Sequence, residues 1–383
     1  MSLNFFTFVL FYFLIITSIL GYGYLAVNLT AFNKKNFNKG YLGLFGIFFL
    51  IFYSYLSHFF ISHNIINNSI VFVIGLIFFI FYFNKDKDKK GFILLNIIFL
   101  VLMIGAVIYK SHDDFFYYHF PYTYYLTQNN MFVGVGGFNH GFRTPSSIFY
   151  LNSLFLLPII KYYSFQMSAV MIMGFSNFIF LDLIYKKIKE RLFDNILFLS
   201  LLSIVFINIF FYRISEHGTD RSAQILIFLF LIELIILINF NKNFDDNSSK
   251  VIVLLGIIIT LKAFYVLYII LVFPIIYYLI KEKKINYILR IFKNPFFYFS
   301  IFLFIFFLIT NFFNTGCLIY PINFTCFDNF SWSVPSAEVI QMNNWYEQWS
   351  KAGAGPNFRI MSPEIYIQNF NWVSNWIDRY FFN

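Results

Sequence analysis

Two adjacent aspartates, Asp113 and Asp114, stand near the start of the stretch KSHDDFFYYHFPYTYYLTQNNMFVGVGGFNHGFRTP (110–145). Neighbouring carboxylates can take a proton from a hydroxyl, hold a divalent cation such as Mg2+ or Mn2+, or do both. His112, His119, His140 and Arg143 lie in the same stretch, which thereby holds three of the chain's six histidines. An aspartate pair alone is ordinarily a solvated helix cap, but that concentration of histidine is hard to assign to packing. A second polar stretch, RISEHGTDRSAQ (213–224), supplies Arg213, Glu216, His217, Asp220 and Arg221. By itself it reads as a solvated loop. Lys262 stands alone in ITLKAFY between long apolar runs. A lysine so placed must reach water or an anion. Snorkelling to the interface satisfies it, and an ammonium at head-group level also suits a phosphate.

The elements that must position these groups are helices in a bilayer. Of 383 residues 60% are hydrophobic and only 12% charged, and the mean hydropathy is +0.70. Soluble domains carry about 25% charged residues. A single soluble core cannot hide this much apolar surface, and a lipid bilayer can. The 60 Phe and 28 Tyr rise together with Ile, Asn and Lys, which points to nucleotide bias rather than an aromatic specialisation. The net charge of +9 is no sign of a nucleic-acid partner, because the lysines sit in short segments between apolar runs and act as topology determinants.

Apolar runs of spanning length occur at 4–27, 41–61, 69–83, 91–109, 166–185, 193–212, 224–240 and 296–313. The first lacks the basic start and cleavage site of a signal peptide and reads as a retained helix. Two further runs are ambiguous by length: 146–160 is short for a span, and 251–280 is too long for one and short for two. Charge resolves both. The basic clusters at Lys34–Lys39, Lys85–Lys90, Lys186–Arg191, Lys242 with Lys250, and Lys281–Lys293 share one side only if 146–160 does not cross and 251–280 is a hairpin turning near Lys262. Eighteen of the 27 Lys and Arg then lie in short inner segments and nine outside. The sequence therefore predicts an all-α, polytopic transmembrane bundle of about ten passes, with both termini and all three polar features on the outer face.

The remaining outer segment, 314–383, is polar. It holds all five Trp and both cysteines, Cys317 and Cys326. On an oxidising face that pair can form a disulfide, and the tryptophans suit interfacial anchoring or stacking on sugars. Glu233 falls inside an apolar run and should face the bundle interior; its partner is not evident from sequence.

Taken in order, these features resemble a known family. An acidic, aromatic motif (HDDFFYYHFP, 112–121) follows a span, and a Pro-led apolar stretch (PSSIFYLNSLFLLPIIKYYSF, 145–165) follows the motif. An inward span then ends in LIYKKIKE, the Arg/Asp loop RISEHGTDRSAQIL precedes another span, and a hairpin is broken by lysine (LLGIIITLKAFYVLYIIL). This resembles the GT-C superfamily of membrane glycosyltransferases, particularly its bacterial mannosyltransferase-like and lipid A-modifying branch, over residues 91–313. GCLIYPINFTCFDNFSWSVP (316–335) also resembles uncharacterised bacterial membrane proteins attached to that superfamily.

The resemblance implies a GT-C-like fold in which the Pro-led stretch is a juxtamembrane helix on the outer face. It implies a polyprenyl-phosphate sugar donor, a lipid or glycan acceptor and an inner-membrane location with the active face toward the periplasm. Asp113 or Asp114 would be the general base, with or without a metal. Lys262 and one of Arg143, Arg213 or Arg221 would hold the lipid phosphate, while Asp220, His112, His119, Glu216 and His217 support the site. Residues 1–90 would be extra helices, 91–313 the catalytic module and 314–383 an outer tail. The chain departs from the family in its three additional spans, its Asp-Asp pair in place of Asp-Glu, and its polar end where relatives continue. A polysaccharide polymerase or ligase shares the donor class. A transporter or flippase would instead place ionisable residues at mid-membrane, where Glu233 is the sole candidate.

Overall fold

Several apolar runs begin at a polar side chain that takes up a helix N–H left unpaired by the first turn. Asn4, Asn38, Asn64 and Asp194 each accept a backbone N–H two or three residues on. The computed structural model describes residues 4–30, 37–86, 88–107, 112–211, 214, 218–238, 243–352 and 362–382. Arg213, Glu216 and His217 lie outside them. Among the described residues every named element is helical, and eight helices are long and apolar enough to cross a membrane.

The chain divides into two compact units, Met1–Met131 with Pro145–Phe307 and Phe132–Thr144 with Leu308–Asn383. The first holds α1 (Phe5–Leu29), α2 (Lys39–His58), α3 (Ile65–Phe83) and α4 (Lys89–Val107), then a π-helical turn at Phe115–His119 running into α5 (Phe120–Gln128). After these come α6 (Ser147–Ser153), α7 (Met167–Lys189), α8 (Asn195–Phe210), α9 (Gly218–Ile238) and α10 (Phe244–Leu261). A 3-10 segment (Ala263–Leu271) continues as α11 (Val272–Lys281), followed by α12 (Ile285–Phe292) and α13 (Pro295–Thr315), whose residues from Leu308 on belong to the second unit.

Lipid tails are as apolar as these side chains, so helices here associate through close packing and polar contacts rather than exclusion of water. Small residues make that closeness possible. A Cβ on Gly21 of α1 would lie 1.9 Å from the Gly75 carbonyl oxygen of α3, and one on Gly46 of α2 would lie 2.0 Å from the Ile19 carbonyl oxygen of α1. Helices α2 and α7 are central, with 78% of their apolar stretches buried, while α4 and the 263–281 arm bury only 17%. Their exposed Ile, Leu, Val and Phe side chains form the belt expected against lipid.

The polar contacts sort into two ends. At the basic end Lys39 pairs with Asp86, Asn38 donates to Asp182 at 2.6 Å, Lys187 pairs with Asp194, and Arg290 binds Asp245. At the other end the His63 N–H donates to the Leu126 carbonyl at 3.0 Å, Gln166 donates to the Ala106 carbonyl at 3.1 Å, and Lys262 meets Asp220. The expected hairpin is present. The chain breaks at Lys262, in extended conformation (φ −164°, ψ 148°). The contacts of Arg290 with Asp245 and of Asn294 with Ser249 return the second arm to the start of the first.

Two expectations change. The 146–160 run forms only the seven-residue α6, about 10 Å long at 1.5 Å per residue, too short to cross. All seven of its residues are buried, so it is enclosed by its neighbours instead of lying along a surface. Lys250, counted from sequence among the loop cations, is a buried helical residue of α10.

In the second unit, Cys317 and Cys326 are disulfide-bonded and pack with Tyr320, Val334, Val339 and Met342. The unit also contains α14 (Ser336–Ala352), α15 (Pro363–Ile367) and α16 (Val373–Ile377). Gly134 turns the 132–144 segment at φ +79°, and its N–H donates to the Phe313 carbonyl at 2.7 Å.

Candidate functional site

Asp220 is in the first turn of α9 rather than in a loop, where a carboxylate faces the positive end of the helix dipole. Lys262 reaches it from the break between α10 and the second arm. The ammonium donates to Asp220 Oδ1 at 3.1 Å and Oδ2 at 2.8 Å, and the Tyr265 hydroxyl lies 3.4 Å from Oδ1. The side chains of Lys262 and Asp220 are 37% and 43% exposed, so the pair stands open. An ammonium has three donors; two point at one carboxylate, and the third is available to an anion.

The Asp113–Asp114 motif belongs to the same end of the bundle. It follows α4, whose Ala106 carbonyl is bonded by Gln166 just before α7. A Cβ on Gly218, the first residue of α9, would meet Ala169 of α7 at 3.1 Å and Ile148 of α6 at 3.5 Å. The end of α4 and the starts of α6, α7 and α9 thus share one end of the bundle. Asp113 is exposed and Asp114 half-buried. His112 Nδ1 comes within 3.7 Å of Asp114 Oδ2, but the same nitrogen accepts the Asp114 backbone N–H at 3.2 Å. No group of three or more His, Cys, Asp or Glu among the described residues has metal-binding geometry. Mg2+ is commonly held by one or two carboxylates together with waters and substrate phosphate oxygens, and Asp113 and Asp114 would be the residues to supply that protein share.

The two described arginines of the candidate set belong to different units. Arg221 sits on α9 beside Asp220, donates to Gln224 at 3.0 Å and lies 4.9 Å from the Phe211 ring. Arg143 belongs to the second unit, where its guanidinium donates to Glu338 at 2.7 Å and to the Gly136 carbonyl at 2.9 Å. That side chain is buried and is occupied in holding its own unit together. His119 is also buried, its ring 5.1 Å from Phe149, and it packs α5 against α6.

Glu233, 1% exposed, has partners no sequence pattern signalled: the Tyr41 hydroxyl donates to Oε1, and Lys250 Nζ approaches Oε2 at 4.0 Å. Lys250 also stands 4.5 Å from the Tyr41 ring. Tyr41 is near the start of α2, so the group lies toward the basic end, away from Lys262.

A second cluster was equally hidden. His63, fully buried, places Nδ1 2.6 Å from Ser153 Oγ and Nε2 3.0 Å from the Ser54 carbonyl. Asn68 donates to the carbonyls of His63, Ser153 and Leu156 at 2.7–3.2 Å. Burial, reinforced by the neighbouring His58 and opposed by the Ser54 carbonyl, pushes the His63 imidazole down to about 3. These residues fasten the loop after α2, the start of α3 and α6 to one another. The one available signal was that His58 and His63 flank a short break between apolar runs.

No curated protein and no solved structure matches the chain. A family model described as "Domain of unknown function (DUF8201)" matches residues 5–381, nearly the whole length and both units. The chain is a member of the DUF8201 family.

Proposed function

We propose that this protein transfers a sugar from a polyprenyl-phosphate donor to a hydroxyl of a lipid or glycan acceptor in the cell envelope. The reading is of a GT-C-like enzyme with ten passes in the inner membrane and its site toward the periplasm. What carries it is the open Lys262–Asp220 pair at a helix break, at the same end of the bundle as Asp113 and Asp114. Such a donor already has a good leaving group. The remaining tasks are to deprotonate the acceptor, stabilise the departing phosphate and hold the two in line.

In this scheme Asp113 or Asp114 takes the acceptor proton. The acceptor oxygen bonds to the anomeric carbon as the bond from that carbon to the phosphate oxygen breaks. The electron pair leaves on the polyprenyl phosphate, whose charge Lys262 meets with its third N–H, and Arg221 is near enough in sequence and helix position to assist. Asp220 and the Tyr265 hydroxyl orient the ammonium. The orientation is supported by the basic residues that lie in the predicted inner segments, seventeen of the 27 once buried Lys250 is set aside, and by the Cys317–Cys326 disulfide, which suits an oxidising compartment.

Membranes containing Asp113→Asn, Asp114→Asn and the double variant should be assayed with a radiolabelled polyprenyl-phosphate sugar. At least one single variant should lose transfer by about 100-fold, in the range for general-base removal. Full activity in all three would remove the assignment. Should Glu233→Gln stop movement of a substrate across the membrane while the Asp variants do not, the chain is a transporter.

A further inference from the structure

Residues 282–294 join two apolar helices, the 263–281 arm and α13, so they run along the membrane surface at the basic end of the bundle. Within them α12 buries none of its residues. Ile285, Leu289 and Phe292 follow i, i+4, i+7 spacing and share one face, with exposures of 57%, 54% and 47%. Around that face stand Lys281, Lys283, Lys284, Arg290 and Lys293, against the single acid Glu282. An eight-residue helix of this kind, tethered at both ends to membrane spans, lies in the interface with its apolar face in the acyl region and its cations among the phosphates.

Beside α12 opens a cavity of about 260 Å³ lined by Thr30, Asp245, Arg290, Lys293, Asn294 and Pro295. Arg290 is fixed at its edge. Its Nε and Nη2 donate to Asp245 at 2.8 and 2.5 Å, and the guanidinium carbon lies 5.4 and 5.3 Å from the rings of Phe244 and Tyr287. A guanidinium has five N–H donors, so this bidentate contact leaves three. Asn294 is bound to Ser249 at 2.7 Å and serves as wall. With Arg290 offset by Asp245, the exposed Lys293 gives the cavity its net positive charge.

We infer that this cavity binds the headgroup of an anionic phospholipid, its phosphate between Arg290 and Lys293 and its acyl chains along Ile285, Leu289 and Phe292. A phosphate supplies the charge complement. The adjoining apolar face, which a soluble anion would leave exposed, selects a lipid as its source.

The full-length chain in detergent, titrated with phosphatidylglycerol, phosphatidylcholine or glycerol 3-phosphate and read by native mass spectrometry, tests this. Phosphatidylglycerol should bind at least tenfold more tightly than phosphatidylcholine. Lys293→Gln should weaken it by about fivefold, near what one interfacial basic residue contributes, with Lys293→Arg retaining it. Lys293 is exposed, so an unchanged melting temperature will show the Gln variant to be folded. Equal binding of the two lipids, or an unaffected Lys293→Gln variant, would overturn the inference. Displacement of phosphatidylglycerol by equimolar glycerol 3-phosphate would overturn the lipid as source.

Discussion

Lys262 and Asp220 are both more than a third exposed, and at that exposure an ion pair contributes only about 0–1 kcal/mol to stability. If their role is chemical, function and stability must separate. Lys262→Met should lower transfer by about 100-fold, on the scale of losing one electrostatic contact to a developing charge, while thermal unfolding in detergent barely moves. Parallel losses in both would assign the pair a structural role. The opposite holds for Lys250 and Glu233, both buried on α10 and α9. Lys250→Met would leave buried Glu233 with the Tyr41 hydroxyl but no cation, at a cost of up to about 3–5 kcal/mol, seen as a drop in melting temperature. Replacing both residues by leucine should recover most of it; a double variant no more stable than Lys250→Met would contradict that pairing.

Among the elements, α6 and the turn after α2 are where the fold depends on buried polar side chains. His63 sits outside the spanning helices and is kept neutral by its surroundings, with its folded pKa pushed down to about 3. The unfolded imidazole titrates at about 6.5. Above that value neither state is charged, and the contact network around Ser153 keeps its full contribution. Below it the unfolded chain takes up a proton that the folded chain refuses, so stability falls as pH drops from about 6.5 toward 3. The slope from this residue is about 1.4 kcal/mol per pH unit. Melting curves at pH 7.5, 6 and 5 should show the decline, and His63→Gln should make it shallower. An equally steep decline in that variant would mean the titrating group is elsewhere.

For the whole molecule, the two ends are distinguished by charge and by the contacts that gather there. Gln128 lies at one end and Lys189 at the other, both exposed. With Cys317 and Cys326 replaced by serine, single cysteines at these positions should respond differently to a membrane-impermeant thiol reagent. Gln128→Cys should label on intact cells and Lys189→Cys only after permeabilisation. The reverse pattern would invert the orientation and move the Asp113 and Asp220 motifs to the inside.

What the sequence determined by itself was what hydrophobicity and charge count determine locally. Apolar length set the ranges of the long helices, and the position of the basic clusters required 146–160 not to cross and 251–280 to turn at Lys262, readings with which the seven-residue α6 and the break at Lys262 are consistent. The candidate residues Asp113, Asp114, Asp220 and Lys262 were legible because charge is scarce in this chain. Tertiary structure alone decided the partners. Lys262 meets Asp220 across 42 residues, Arg143 is taken by Glu338 across 195, and Glu233 finds Tyr41 across 192. Hydropathy fixes how long a helix is and which segments share an end of the bundle. Which helix faces which depends on side-chain volume and on polar groups that must pair where water is excluded, and those conditions are met only between residues far apart in the chain.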